Sequence, residues 1–335
     1  MNCTILWIRE KIRMPKELIN LLSGHRTFIQ THNFPDADAL ASALGLQEFL
    51  KYYGIETTIC YDGKIDKLST KRMLKTFRIE IHSIHEILDM NEEDYIVMVD
   101  TQKYNANFTD AIGNEVACID HHPTFIGCEY LYRDIRIVGA CSSIIASYFF
   151  QENVPLNANL ATALLLGIKI DTLDLTRGVT DFDIDMFAYL YKNADKEKFQ
   201  TMLKKSMEFE DLQAYGAAIE SIKIYNRVGF AYIPFNCPDG LVATISDFIL
   251  SLNVVDIAVV YALRQDGIKF SVRSEIAKVN AGALVAKALN DIGNGGGHAS
   301  MAGGFISIEK AHKFGDQIDY EIRRLFLDTL ETKME

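Results

Sequence analysis

The sequence predicts an α/β fold in two parts: a larger N-terminal unit with a mostly parallel sheet flanked by helices, and a smaller C-terminal α/β unit. Three observations predict it. Continuous apolar runs, such as 95–99 (YIVMV), alternate with stretches of helical spacing, as in parallel sheets covered on both faces. After a polar helical stretch at 193–210 the texture changes, and strands joined by tight turns take over. The length, 335 residues, exceeds what one compact core usually holds.

In chain order, 27–31 reads as a buried strand that ends at His32. Leu40, Ala43, Leu44, Leu46 and Leu50 give 38–53 a helical spacing, with Gly54 as its stop signal. Strands follow at 55–61, ending in Asp62-Gly63, at 95–99, ending at Asp100, and at 115–119, ending at Asp120-His121-His122. Helices are expected at 142–150, 158–170, 183–191 and 196–204. In the second half 229–233, 255–263 and 267–272 read as strands, and Gln265-Asp266-Gly267 predicts a hairpin between the last two. A helix at 281–289, a glycine-rich stretch at 293–297, a strand at 305–308 and one long amphipathic helix at 310–330 complete the chain. The expected division is 1–192 for the first domain, 193–212 for a helical linker and 213–335 for the second domain.

Composition excludes several function classes. Hydrophobic residues make up 49% and charged residues 24%, an ordinary globular balance. The net charge of −11 suits neither coating of long polynucleotides nor binding of long duplex, which need many Lys and Arg. A short phosphorylated ligand remains open if metals and a few basic groups act locally. Apolar runs such as 161–168 are too short to span a bilayer. Arg9, Lys11 and Arg13 follow the short apolar piece of the N-terminus, the reverse of a secretory signal, so a cytoplasmic protein is expected. The six cysteines, at 3, 60, 118, 128, 141 and 237, include no C-x-x-C pair, which argues against a structural zinc site and for small core residues in a reducing compartment.

Three predicted strands end in potential ligands: His32-x-x-x-Asp36-x-Asp38, Asp100, and Asp120-His121-His122. In open α/β sheets ligands bind beyond the carboxyl ends of the strands, so neighbouring strands would bring these groups into one crevice. Asp171, after the apolar helix 158–170, is a fourth candidate. Taken singly, an Asp after a strand is usually a turn or cap residue, as Asp62, Asp174 and Asp181 are read, and a lone His is usually a surface or satisfied core residue, as His25, His82, His85 and His312 are read. Together the bland readings weaken. Asp36, Asp38, Asp100 and Asp171 would repel unless neutralised, and two divalent cations supply the matching charge. Mixed carboxylate and imidazole donors suit manganese or iron, with zinc behind them. The stretch Gly293-Asn294-Gly295-Gly296-Gly297-His298 reads either as a flexible loop or as a backbone cradle for an anion. Its order fits neither a P-loop nor a dinucleotide fingerprint.

These residues resemble a known family. His32-Asn33-Phe34-Pro35-Asp36-Ala37-Asp38-Ala39, Asp100, Asp120-His121-His122 and Asp171 resemble the motifs of the DHH phosphoesterase superfamily. Ser271-Val272-Arg273-Ser274, with Gly295-Gly296-Gly297-His298 and Ala302-Gly303-Gly304, resembles its accessory DHHA1 domain. The branch most similar in appearance contains hydrolases of short oligonucleotides (nanoRNases), some of which dephosphorylate pAp (3′-phosphoadenosine 5′-phosphate). The resemblance implies two divalent ions, manganese foremost, with an active site between the two domains. One ion would take His32, Asp36 and Asp100; the other Asp38, Asp100, His121 and Asp171, with Asp100 bridging. Asp120 would orient a ligand imidazole, and His122 would face the scissile phosphate. Arg273, His298 and the backbone N–H groups of Gly295, Gly296 and Gly297 would hold the nucleotide or phosphate end, with Arg177 a further phosphate contact. The implied reaction is in-line attack by a metal-bridging hydroxide on a short oligonucleotide or nucleotide. Hydrolysis of a cyclic dinucleotide, polyphosphate or pyrophosphate, and nucleotide sensing without turnover, stay open as alternatives, as does a homodimer. The sequence departs from the pattern at Ala37, where the family commonly has Gly, and at Asn294 and Ser300-Met301 in the accessory motif.

Overall fold

The computed structural model describes residues 15–65, 68–105, 107–204 and 207–331. The reading of the N-terminal piece as something other than a secretory signal, and Cys3 with it, lies outside these residues. The chain divides into two compact units between Ser206 and Met207, a point inside the 193–212 stretch.

The first unit is built on a six-stranded sheet of β1 (Thr27–Gln30), β2 (Thr57–Tyr61), β3 (Ile81–Ser83), β4 (Tyr95–Val99), β5 (Asn114–Asp120) and β6 (Tyr132–Ile135). Its order is β3-β2-β1-β4-β5-β6, and every neighbouring pair is parallel. Parallel strands need crossovers, and α-helices supply two of the five, from β1 to β2 and from β2 to β3. The helices of this unit are α1 (Pro15–Leu22), α2 (Ala37–Tyr52), α3 (Leu68–Phe77), α4 (Cys141–Glu152), α5 (Ala158–Asp171), α6 (Asp181–Asn193) and α7 (Lys196–Leu203). Alternate strand residues divide the core. Ile29, Ile59, Val97, Val99, Ala117 and Ile119 pack with the helices, among them Leu40 and Leu46 of α2 and Leu164 and Leu165 of α5. Phe28, Cys60, Ile96, Met98 and Cys118 form a smaller core on the other face, closed by non-helical groups including Ile87, Met90, Phe108 and Tyr130.

The second unit carries its own six-stranded sheet, ordered β11-β12-β10-β9-β8-β7. Its elements are α8 (Asp211–Ser221), β7 (Lys223–Tyr225), β8 (Val228–Ile233), α9 (Asp239–Leu250), β9 (Ile257–Leu263), β10 (Gly267–Ser274), α10 (Ala281–Ala288), β11 (Asn294–Gly297), β12 (Met301–Ser307), α11 (Ile308–Ala311) and α12 (Ile318–Glu331). Strands β9 and β10 form the antiparallel hairpin that the Gln265-Asp266-Gly267 turn predicts. Two expectations are corrected here. The glycine-rich stretch is not a loop: β11 pairs antiparallel with β12 at the sheet edge. Its glycines make room for a helix, since a Cβ on Gly295 would lie 2.3 Å from Val285 Cγ1 and one on Gly282 of α10 would lie 2.2 Å from Gly297 O. The long terminal helix is broken, because Gly315 takes φ 53° and ψ −137° between α11 and α12. Among the described residues no helix is long and apolar enough to cross a membrane.

One ion pair, between the buried Asp134 and the part-buried Arg136, anchors the β6 edge to α4. Arg136 donates to both carboxylate oxygens of Asp134, at 2.7 and 2.6 Å, and the Tyr148 hydroxyl donates to Oδ2 at 2.8 Å. Removing one member of such a pair leaves a charge stranded in a poorly solvated place. Asp134→Ala is therefore expected to lower unfolding free energy by about 3–5 kcal/mol, measured by urea titration of the first unit's transition. A loss below about 1 kcal/mol would mean that Arg136 reaches water when released.

Candidate metal centre

Strands β1 and β4 are neighbours in the sheet, yet the chain leaves them toward opposite sides. This is the switch point at which open parallel sheets leave a crevice. The residues that follow β1, β4 and β5, together with the end of α5, fill it.

His32 follows β1. Its Nδ1 lies 2.8 Å from the Asn33 carbonyl, which can only accept, so Nδ1 carries the hydrogen. Nε2 then faces Asp36 Oδ1 at 4.0 Å and Asp100 Oδ2 at 3.6 Å. Asp36 caps α2, its Oδ1 accepting from the N–H groups of Asp38 and Ala39 at 3.0 and 3.1 Å. Asp38, in the first turn of α2, is buried. Its carboxylate is gripped by the N-terminus of α4: Cys141 N donates to Oδ2 at 2.7 Å and Ser142 N to Oδ1 at 2.9 Å. That end of a helix carries partial positive charge, which favours the anion. Only glycine fits opposite, because a Cβ on Gly167 would lie 2.2 Å from Ser142 Oγ and 2.9 Å from Asp38 Oδ1.

Asp100 follows β4 in the left-handed region, at φ 61°. His121, at the end of β5, repeats the logic of His32. Its Nδ1 donates to the Val138 carbonyl at 3.0 Å, and Nε2 faces Asp100 Oδ1 at 3.3 Å and Asp171 Oδ2 at 3.5 Å. Three groups of donors result, the donor atoms of each within 4.8 Å of one another: His32, Asp36 and Asp100; Asp38, His121 and Asp171; and Asp100, Asp120, His121 and His122, which shares a member with each of the other two. Asp100 joins the first two sets, with Oδ2 facing His32 and Oδ1 facing His121.

The donor chemistry fits divalent cations. Asp100 Oδ1 is buried and accepts no hydrogen bond, although His121 Nε2 is close. A buried carboxylate oxygen without a donor is costly, and a cation removes the cost. The electrostatics agree. Burial and the charges of Asp100 and Asp171 push Asp38 well above the usual carboxylate range. Burial, followed by the charge of Asp36, pushes Asp171 up to about 6. Burial works against protonation of His32, but Asp100 and Asp36 outweigh it and raise the ring to about 9. Burial likewise disfavours charge on Asp100 itself, yet the contacts with His121 and His32 hold it below its ordinary value. Without cations, protons balance the cluster.

The neighbouring Asp120 was expected to orient a ligand imidazole. The ring it holds is instead that of His122, whose Nδ1 lies 2.9 Å from Oδ1, while the His121 ring is held by Val138. Gln102 fixes this arrangement by donating to Asp120 Oδ2 at 2.7 Å and to the His122 carbonyl at 2.9 Å. Arg177 donates to the Asp171 carbonyl at 2.7 Å, which keeps it beside the cluster.

The candidates of the second unit have other surroundings. Arg273 is buried, with Nε donating to Asp247 at 2.6 Å and Nη1 to Ser271 at 3.1 Å. His298 and Gly295, Gly296 and Gly297 are exposed, the glycines on the edge strand β11. In an extended strand successive N–H groups point to opposite sides, so these three do not form the convergent cradle that a loop would. Sequence reading missed Gln102 and the Cys141–Ser142 backbone. The run of small residues Gly139-Ala140-Cys141-Ser142-Ser143 before a helix was the available signal for the second.

The chain matches the DHH family, N-terminal domain, over residues 26–168 and the DHHA1 domain over residues 225–324. It belongs to the DHH phosphoesterase superfamily. An uncharacterized protein of Methanocaldococcus jannaschii is 26% identical over 316 residues, covering 92% of this chain and 64% of that protein. The cyclic-di-AMP phosphodiesterase PdeA of Listeria monocytogenes is 26% identical over 312 residues, covering 86% of this chain and 45% of the relative. The chain thus spans less than two thirds of the length of both. The crystal structure of an exopolyphosphatase-related protein from Bacteroides fragilis shares the fold, with a TM-score of 0.69 at 18% identity, over 94% of this chain and 99% of that one.

Cation binding must expel the protons held by this DHH cluster. Asp171, raised to about 6, favours the metal-free fold below its ordinary range, and that contribution is lost as pH rises through about 6. Manganese is therefore expected to raise the melting temperature more at pH 8 than at pH 5, with EDTA reversing the gain. Thermal melts with and without manganese at both pH values check this, and an equal gain at both would contradict it.

Proposed function

We propose that this DHH protein is a metal-dependent phosphoesterase that hydrolyses short oligonucleotides, and pAp with them. The observation that carries the reading is the pair of donor sets meeting at Asp100, with His32 and His121 both turned by a carbonyl so that Nε2 faces the carboxylates. Two divalent ions, manganese first among the candidates, would be held by His32, Asp36 and Asp100 and by Asp38, Asp100, His121 and Asp171. Bound there, they supply activated water and neutralise charge on a phosphoryl group.

The protein's own part is to aim and exclude. Asp100 fixes the spacing of the two sets. His122 has a raised pKa: burial disfavours its charge, but Asp120 outweighs burial and favours the imidazolium. A protonated His122 can donate to a phosphoryl oxygen as negative charge develops. Arg273 and His298 would contribute from the DHHA1 domain, and Arg177 from beside Asp171. The net charge of −11, from 45 acidic against 34 basic residues, favours a short ligand over a long strand.

The test is hydrolysis of a labelled RNA dinucleotide, with pAp and cyclic di-AMP in parallel, in manganese and in EDTA. Manganese-dependent release of mononucleotide is expected, and Asp100→Ala is expected to abolish it. A folded Asp100→Ala protein with near-normal turnover would overturn the role of Asp100. Arg273→Ala is expected chiefly to raise KM; an unchanged KM would leave Arg273 as a structural partner of Asp247. A second reading, cleavage of a cyclic dinucleotide, is favoured by the Listeria relative, a cyclic-di-AMP phosphodiesterase. Turnover of cyclic di-AMP with the linear dinucleotide untouched would select it. Tight nucleotide binding with no turnover of any substrate would indicate a sensor.

A further inference from the structure

Asp183 is a buried carboxylate that the chemistry above does not use. It lies in the first turn of α6, and four donors converge on it. Gly139 N donates to Oδ2 at 2.8 Å, Ser143 Oγ to Oδ1 at 2.6 Å, and Thr180 N and Oγ1 to Oδ2 at 2.9 and 2.7 Å. Only the Thr180 contacts are needed to cap α6, as a capping box. The other two reach across the chain and clamp the segment that holds the second donor set. Val138 orients the ring of His121. Cys141 N and Ser142 N grip Asp38. Gly139 itself packs on the residue after Asp171, since a Cβ there would lie 2.7 Å from Thr172 Cγ2 and 3.0 Å from Asp183 Oδ2. His121 and Asp38 therefore both meet one five-residue segment, 138–142, Thr172 beside Asp171 packs on it, and Asp183 holds it through Gly139. No comparable contact links Asp183 to His32 or Asp36 among the hydrogen bonds of the described residues.

We infer that Asp183 is a positioning residue that sets the cation affinity of the Asp38–His121–Asp171 set while leaving the His32–Asp36–Asp100 set unaffected. This rests on the two-ion reading above. An isolated capping role would not act on one donor set, whereas partners beyond the ligands commonly change metal affinity by about 10- to 100-fold. Asp183→Asn keeps the shape but removes the charge and one of the two acceptor oxygens, so whichever way the amide turns the four donors meet one acceptor oxygen instead of two. Ser143→Ala removes a single donor and leaves the carboxylate in place, giving a milder variant should Asp183→Asn fail to fold.

The experiment is calorimetric titration of the metal-free full chain with manganese, for the wild type, Asp183→Asn, Ser143→Ala and, as a reference for the second set, Asp38→Asn. Melting temperatures are measured with and without the metal. The expected result is two binding classes in the wild type. Asp183→Asn should weaken by at least about ten-fold the class that Asp38→Asn removes, with Ser143→Ala intermediate and the other class unchanged. Equal affinities in wild type and variant, or a parallel fall in both classes, would overturn the assignment and leave Asp183 a structural cap. A wild type that takes up one ion would sink the two-ion reading. The comparison on that ion would still decide Asp183, since unchanged affinity in Asp183→Asn rejects it and a ten-fold loss supports a clamp on a single shared site.

Discussion

Charge confinement governs the first unit. Asp36, Asp38, Asp100 and Asp171 are brought together at one end of a parallel sheet, with Asp38 and Asp100 almost wholly withdrawn from water. Such a group is stable only with compensation, by protons, cations or oriented dipoles. Each nearby feature supplies some. The N-terminus of α4 faces Asp38, the first turn of α2 is capped by Asp36, and two imidazoles separate the carboxylates. Gly167 and Gly139 are needed because this compensation works only at close range.

The fold and the cluster were largely legible in the sequence, because both rest on local signals. A buried parallel strand is a continuous apolar run, so 95–99 was recognised to the residue, and the polar groups just beyond each run marked the carboxyl ends. Strands without that signature escaped. β3 has three residues, and β6 (Tyr132-Arg133-Asp134-Ile135) is an edge strand rich in charge, which resembles a loop. Glycine misled in a different way. Asn294–Gly297 carries no strand propensity, and its pairing comes from β12 and the close approach of α10, which are tertiary facts.

The supporting layer around the cluster was less legible still. Gln102, Cys141–Ser142 and Asp183 act through main-chain groups or reach residues 18 to 104 positions away, as in Gln102 to Asp120 and Ser142 to Asp38. A pattern of side chains along a chain shows which groups could ligate; it does not show which carbonyl turns a ring. The same limit applies to Arg273, whose place in a family-like motif says nothing of its pairing with Asp247.

The strand order also dictates when this site can exist during synthesis. β1 occupies the middle of the sheet but is made first, and its second neighbour, β4, begins only at Tyr95, long after β1 ends at Gln30. Until then one edge of β1 stays open, and His32, Asp36 and Asp38 have no counterpart across the crevice. The last carboxylate, Asp171, emerges after the whole sheet has been translated. A nascent chain is thus spared the full concentration of negative charge while its hydrophobic core assembles, and the most repulsive contacts are postponed until the packing that restrains them is in place.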